Sequence, residues 1–254
     1  MILTIVCMLT ACGNDGKSEV SFSDIENMAE NAVFNVDWTT MEGSYKAGTS
    51  YIIDSDKLGE KLLVTAFHYL WPDNAKTFSG EQLPDFVKGG QLYYAKSEKV
   101  SGARLKQNLV IPDADAVPNI AKDVAAFTLN GADGLMTLKL SDRRPEAGES
   151  IYLLARLWDG DVLNENCVYE CKVESCDADQ IVYTLDSKYG STMGASGGPL
   201  VDKYGEVVGM HMAGNAFFYY GHTTESFRKQ IENGYLSDVV YPIGSLYAGG
   251  VFER

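Results

Sequence analysis

Apolar positions along this chain recur with a period of two in short runs, and only rarely with the period of a helix. From Gly48 onward, β-branched and aromatic runs alternate with Gly, Asn and Asp turns. The runs are Ser50–Ile53, Lys61–Ala66, Gln91–Ala95, Val124–Leu129, Leu135–Leu140, Ile151–Leu157, Asn166–Val173, Gln180–Leu185, Glu206–Met212 and Val239–Ile243. Many short strands at this spacing predict an all-β sandwich or barrels. Helical spacing is confined to Phe22–Asn31, Gly80–Phe86 and Thr224–Glu232, so helix content is expected to be low. No linker interrupts residues 48–254, and any division into two sheets is expected to be intimate.

Composition narrows the partners. The 254 residues are 45% hydrophobic and 22% charged, the balance of an ordinary folded protein with room for one large β domain or two small ones. With 21 basic against 35 acidic residues the formal charge is −14, which disfavours nucleic acid and anionic membrane surfaces as partners. No apolar run is long enough to span a bilayer.

The first residues read as an address. Met1–Ala11 is apolar and too short to span, and it ends Leu9-Thr10-Ala11-Cys12-Gly13. Small residues before a Cys-Gly pair resemble the lipobox of bacterial lipoproteins, which implies cleavage between Ala11 and Cys12 and a lipid on the Cys12 thiol. That places the protein in a bacterial cell envelope, lipid-anchored on the periplasmic or surface side. No Lys or Arg precedes the apolar run, as a signal n-region would require. Residues 12–47, polar and acidic at their start, are expected to be a tether and N-terminal segment. Of the other cysteines, Cys167 and Cys171 would lie about 13 Å apart on one strand face, too far to bridge. A Cys171–Cys176 bridge across a hairpin stays open, and no cysteine spacing fits a zinc site.

Chemistry gathers at Gly194-Ala195-Ser196-Gly197-Gly198-Pro199, a serine among small residues directly before an apolar run. A nucleophilic hydroxyl needs such a tight turn, with glycines that tolerate its backbone angles and let a substrate approach. Ser-Gly pairs are also common in ordinary turns. Upstream, Val64-Thr65-Ala66-Phe67-His68 ends one strand with a histidine, and Asp123-Val124-Ala125 begins another with an aspartate. A serine hydroxyl needs a base, and the base needs a carboxylate to fix its tautomer. With only His68, His211 and His222 in the chain, the choice of base is narrow.

These three segments resemble the Thr-Ala-x-His, Asp-Val/Ile-Ala and Gly-x-Ser-Gly-Gly-Pro motifs of trypsin-like (chymotrypsin-fold) serine proteases, in the family's order, over roughly Gly48 to Ile243. The resemblance implies two six-stranded antiparallel β-barrels, divided near residues 130–150, with the site in the cleft between them. His68, Asp123 and Ser196 would then be the catalytic residues, with the backbone N–H groups of Gly194 and Ser196 as the oxyanion hole. The partner would be a polypeptide substrate, cleaved by a monomer without metal or organic cofactor. Ala195 stands where zymogen-activated members carry an aspartate, so activation by that salt bridge is not expected. Tyr69 replaces a family cysteine, and Trp71–Gly90 is a long insert.

For specificity, Gly190 and Ser191 would lie at the pocket floor and neither is acidic, which argues against Lys/Arg cleavage, although Asp186 lies nearby; Thr192 or Ser191 could add a hydroxyl to the pocket. Gly209-Met210-His211-Met212-Ala213-Gly214 resembles the glutamate-specific branch, in which the histidine meets an acidic P1 side chain; His211 could equally pack between strands. The alternative function is an inactive protease-fold binding lipoprotein. An esterase is disfavoured, because the order Ser, acid, His of α/β-hydrolases is absent.

Overall fold

A computed structural model describes residues 17–71, 77–95, 98–115, 122–159, 162–163, 167–186, 189, 192–215 and 217–237. The first sheet is built from β1 (Val33–Thr40), β2 (Gly43–Ser55), β3 (Glu60–Thr65), β4 (Val87–Tyr94), β5 (Arg104–Val110) and β6 (Ala125–Asn130). The second comprises β7 (Lys139–Leu140), β8 (Ser150–Leu154), β11 (Val168–Cys176), β12 (Gln180–Leu185), β13 (Pro199–Val201), β14 (Glu206–Gly214) and β15 (Tyr219–Thr223). Between β8 and β11 a small hairpin pairs β9 (Trp158–Asp159) with β10 (Val162–Leu163), and β16 (Tyr235–Leu236) returns to the edge of the first sheet beside β5. Helices are α1 (Phe22–Asn31), α2 (Leu83–Phe86) and α3 (Thr224–Asn233).

The architecture is the chymotrypsin-like pair of curled sheets expected from the sequence. Strand order in the second sheet is β13-β8-β11-β12-β15-β14-β7, and an added β13–β14 ladder closes six of these strands into a barrel. The first, ordered β16-β5-β6-β3-β2-β1-β4, is a curled half-barrel. Alternation drives both. β1 buries Phe34, Val36 and Trp38 and leaves Asn35 and Asp37 between them half-covered, as a strand with one face on a core must. Trp38, Tyr51, Leu63 and Phe127 fill the first core, and Ile151, Tyr169, Ile181 and Leu200 fill the second.

The segment expected as a tether is largely part of the fold. β1 lies inside the first sheet, hydrogen-bonded to β2 on one side and β4 on the other. α1, capped by Ser21 with Asp24 in a reciprocal box, buries Ile25 and Ala29. The residues before it bind the second barrel: Val20 N–H donates to the Lys203 carbonyl at 3.0 Å, and Lys17 pairs with Glu206 at 2.7 Å. Within residues 12–47 the helix expected at Phe22–Asn31 forms, whereas β1 was not expected, and the apolar faces of both find the cores only in three dimensions. Residues 1–16, Cys12 among them, lie outside the described residues.

Two further expectations are revised. Leu135–Leu140 is a strand only at Lys139–Leu140, because Ala132–Leu135 forms a turn and the Leu138 N–H donates to Ile52 instead of entering a ladder. Cys171 and Cys176 sit on one continuous strand, β11, not across a hairpin, and none of Cys167, Cys171 and Cys176 is in a disulfide. The described part of the Trp71–Gly90 insert packs into the first core: Phe78 stacks on Phe67 at 5.5 Å, and Leu83 and Phe86 are buried. The strand expected at Val239–Ile243 lies outside the described residues.

Candidate active site

Pairing of β3 with β6 sets the first half of the site. Thr65 is opposite Ala125, so the residues that follow β3 and those that precede β6 emerge at the same end of the sheet. His68 opens a short 3-10 turn there, and Asp123 lies two residues before β6. The Nδ1 of His68 is 2.7 Å from Oδ2 of Asp123. Oδ1 of Asp123 accepts the backbone N–H groups of Phe67 and His68, each at 2.8 Å. Asp123 is 4% exposed, and three donors converge on its carboxylate, as burial of a charge requires. A carboxylate accepts only, so Nδ1 of His68 carries the proton and Nε2 is left as an acceptor.

The second half is the turn around Ser196. Ala195 N–H donates to the Thr192 carbonyl at 3.0 Å, and Gly194, at φ +90°, takes the position in this turn that needs a positive φ. Gly198 N–H closes on the Ala195 carbonyl at 2.7 Å, and Gly197 N–H reaches the His211 carbonyl on β14 at 2.8 Å. The N–H groups of Ala195, Gly197 and Gly198 are thus used internally. Those of Gly194 and Ser196 find no acceptor among the described residues. The Ser196 hydroxyl donates to the Met212 carbonyl at 3.2 Å.

Close packing brings the halves together. A Cβ on Gly197 would stand 2.2 Å from the Thr49 carbonyl, 2.6 Å from Thr65 Oγ1 and 2.8 Å from the Ala66 nitrogen. The serine turn therefore lies directly against the segment that leads to His68. Thr49, at the bend of β2, also binds this turn: its N–H donates to the Ser196 carbonyl at 2.7 Å and its hydroxyl to the Gly194 carbonyl at 2.6 Å. Thr49 was not singled out in the sequence, where it reads as one more polar residue at the start of a strand. Ala195 is fully buried, so no carboxylate stands beside the nucleophile candidate.

His211 lies on β14 beside the turn, buried, with Nδ1 2.5 Å from the Tyr183 hydroxyl. Burial, and secondarily the charge of His68, pushes its pKa down to about 3, so the imidazole is neutral at ordinary pH. One hydrogen bond joins the Tyr183 hydroxyl to Nδ1, and which of the two groups donates follows from the ring tautomer. Tyr183 was also invisible beforehand, because partnership across β12, β15 and β14 has no sequence signature. Of the expected pocket residues, Thr192 begins the serine turn and Gly214 is exposed near the end of β14; Gly190 and Ser191 lie outside the described residues. His222 meets Ser226 Oγ through Nε2 at 3.0 Å. No cluster of His, Cys, Asp and Glu suited to a metal occurs among the described residues.

Such a fold, two curled sheets with the serine turn of one packed against the segment that leads to the histidine–carboxylate pair of the other, defines a trypsin-like protease architecture. The sequence matches the family model of the trypsin-like peptidase domain over residues 48–210, and the chain belongs to that family. Among solved structures it is similar to a Glu endopeptidase, at 18% identity and TM-score 0.58, covering 87% of this chain and 96% of that one. It is similar also to the Rv3671c protease of M. tuberculosis in its active form, at 13% identity and TM-score 0.57, covering 87% and 90%. A serine endoprotease from Yersinia pestis matches at 15% identity and TM-score 0.55, over 85% of this chain and 69% of that one. No curated protein matches the sequence.

Proposed function

We propose that the protein is a serine endopeptidase in which Ser196 is the nucleophile, His68 the general base and Asp123 the residue that orients it. The observation that carries this reading is the Nδ1–Oδ2 contact of 2.7 Å, which leaves Nε2 of His68 free to take a proton. In this reaction the Ser196 hydroxyl leaves the Met212 carbonyl and donates to that nitrogen instead. Ser196 Oγ then attacks the scissile carbonyl while Nε2 takes its proton, and the imidazolium returns that proton to the leaving amine. Water, deprotonated by the same nitrogen, hydrolyses the acyl-enzyme. The negative oxygen of each tetrahedral intermediate is received by the unoccupied N–H groups of Gly194 and Ser196.

The same reading assigns an acidic P1 preference, with His211 as the group that meets the substrate carboxylate and Thr192 and Gly214 flanking it. Support comes from the buried, neutral ring of His211 beside the serine turn and from likeness in fold to a Glu endopeptidase. A cleavage profile on a peptide library tests it: enrichment of Glu or Asp at P1 is expected, and a profile without it removes the assignment. Cys12 is assigned the lipid anchor of a bacterial envelope lipoprotein; loss of membrane association and of metabolic lipid labelling in Cys12→Ser checks this.

The decisive experiment for the enzyme is labelling with a fluorophosphonate probe, beside Ser196→Ala and His68→Ala. Labelling of the wild type that both variants lose is expected. A second reading, a binding protein on a protease fold, draws on the Ser196 hydroxyl being engaged by Met212. A folded wild type that takes no label selects it.

A further inference from the structure

Thr49 is fully buried and reaches from the first sheet into the serine turn of the second. Four hydrogen bonds converge on this residue. Its hydroxyl donates to the Gly194 carbonyl at 2.6 Å, and its N–H donates to the Ser196 carbonyl at 2.7 Å. Its own carbonyl accepts from Thr65 Oγ1 at 2.7 Å and from the Tyr69 hydroxyl at 3.3 Å. Thr65 closes the strand that leads to His68, and Tyr69 follows His68 directly. One residue therefore touches the base-bearing segment and the nucleophile-bearing turn.

The two N–H groups that face no acceptor belong to Gly194 and Ser196, and their direction depends on the peptide planes around them. Glycine at Gly194 permits the positive φ of the turn, and it equally permits others. The Gly194 N–H lies in the 193–194 peptide and the Ser196 N–H in the 195–196 peptide, so the 194–195 peptide joins the two donors, and its carbonyl is the one that Thr49 holds. The Gly194 carbonyl, held by the Thr49 hydroxyl, and the Ser196 carbonyl, held by the Thr49 N–H, restrain the chain on either side of Ala195. The backbone bond survives any substitution except proline. The hydroxyl bond depends on the side chain alone.

We propose that Thr49 is a positioning residue for the oxyanion-binding turn, its hydroxyl fixing the 194–195 peptide that lies between the Gly194 and Ser196 donors so that both N–H groups point at one site. This rests on the serine endopeptidase reading and concerns a residue that touches no reacting atom. Valine at this position keeps the shape and the backbone bonds but leaves the Gly194 carbonyl without its partner. Serine restores the hydroxyl.

The test measures kcat and KM on a peptide ester, inhibition by a peptidyl aldehyde, and thermal stability, for the wild type, Thr49→Val, Thr49→Ala and Thr49→Ser. An aldehyde forms a tetrahedral adduct whose oxygen occupies the oxyanion site, so its affinity follows the geometry of the two N–H groups. Removing an oxyanion donor outright costs ~10²–10³ in rate, and a restraint acting through one donor is expected to cost about 10- to 100-fold in kcat. Thr49→Val should lose kcat and aldehyde affinity by the same factor with KM unchanged, and Thr49→Ser should recover both. If Thr49→Val does not fold, Thr49→Ala carries the same expectation. Wild-type kcat and aldehyde affinity in the folded Val or Ala variant overturn the proposal, as does a loss that the Ser variant shares. Absence of fluorophosphonate labelling in the wild type refutes the endopeptidase reading itself, and this assignment with it; normal labelling of the wild type with an unaffected Thr49 variant refutes this assignment alone.

Discussion

Asp123→Asn isolates the role of the carboxylate. The asparagine oxygen can still accept the N–H groups of Phe67 and His68, each now at 2.8 Å from Oδ1, so the local backbone has no reason to move. The other position becomes an NH₂ group, which cannot accept from Nδ1 of His68. The imidazole must then present Nδ1 as the acceptor and carry its proton on Nε2, the nitrogen that should receive the Ser196 proton. The base is lost without being removed. A wrong tautomer of this kind costs about 10⁴ in kcat in a Ser-His-Asp site, and four tenfold steps at about 1.36 kcal/mol each raise the barrier by about 5.4 kcal/mol. Stability should change little, because a hydrogen bond with donor and acceptor exchanged replaces the 2.7 Å contact. The assay is single-turnover acylation by an activated ester, read beside thermal unfolding. A folded Asn variant within tenfold of the wild-type acylation rate would refute the reasoning.

Three more outcomes follow from the geometry. Gly197→Ala places a methyl 2.2 Å from the Thr49 carbonyl at φ +83°, so a stability loss of ~3 kcal/mol or more is expected by urea titration, and an unchanged midpoint contradicts the packing. Arg143 bonds Glu149 and the fully buried Asp202, 2.9 Å away; Arg143→Met leaves Asp202 only the N–H groups of Tyr204 and Glu206 and should cost ~1–3 kcal/mol, against which an unchanged midpoint would count. His211, lowered to about 3 in the folded chain, binds its proton more weakly there than when unfolded, so its contribution is complete above the unfolded pKa of about 6.5 and falls as pH drops toward 3. His211→Gln should flatten the stability-against-pH curve in that window by up to about 1.4 kcal/mol per pH unit; an unchanged slope argues against a buried neutral ring.

Local pattern determined much of this protein. α1 and α3 begin where Ser21 and Thr223 can cap an amphipathic run, and most strands fall where apolar alternation puts them, because cap and alternation are properties of neighbouring residues. The Gly-Ala-Ser-Gly-Gly turn was legible for the same reason: its positive-φ glycines and free N–H groups are set within six residues. His68 and Asp123 could be nominated from their segments, but their meeting depends on the β3–β6 register, which no single strand contains. Only the tertiary structure decided the rest. Whether residues 17–40 hang free or enter the fold depended on a distant face for Ile25 and on Lys203 and Glu206, far along the chain. The insert after His68 was settled by an aromatic core that Phe67, Phe78 and Phe86 complete together. Thr49 and Tyr183 acquire meaning only from the groups opposite them, since hydrogen bonds between distant strands depend on position in space and leave no spacing for a sequence to display.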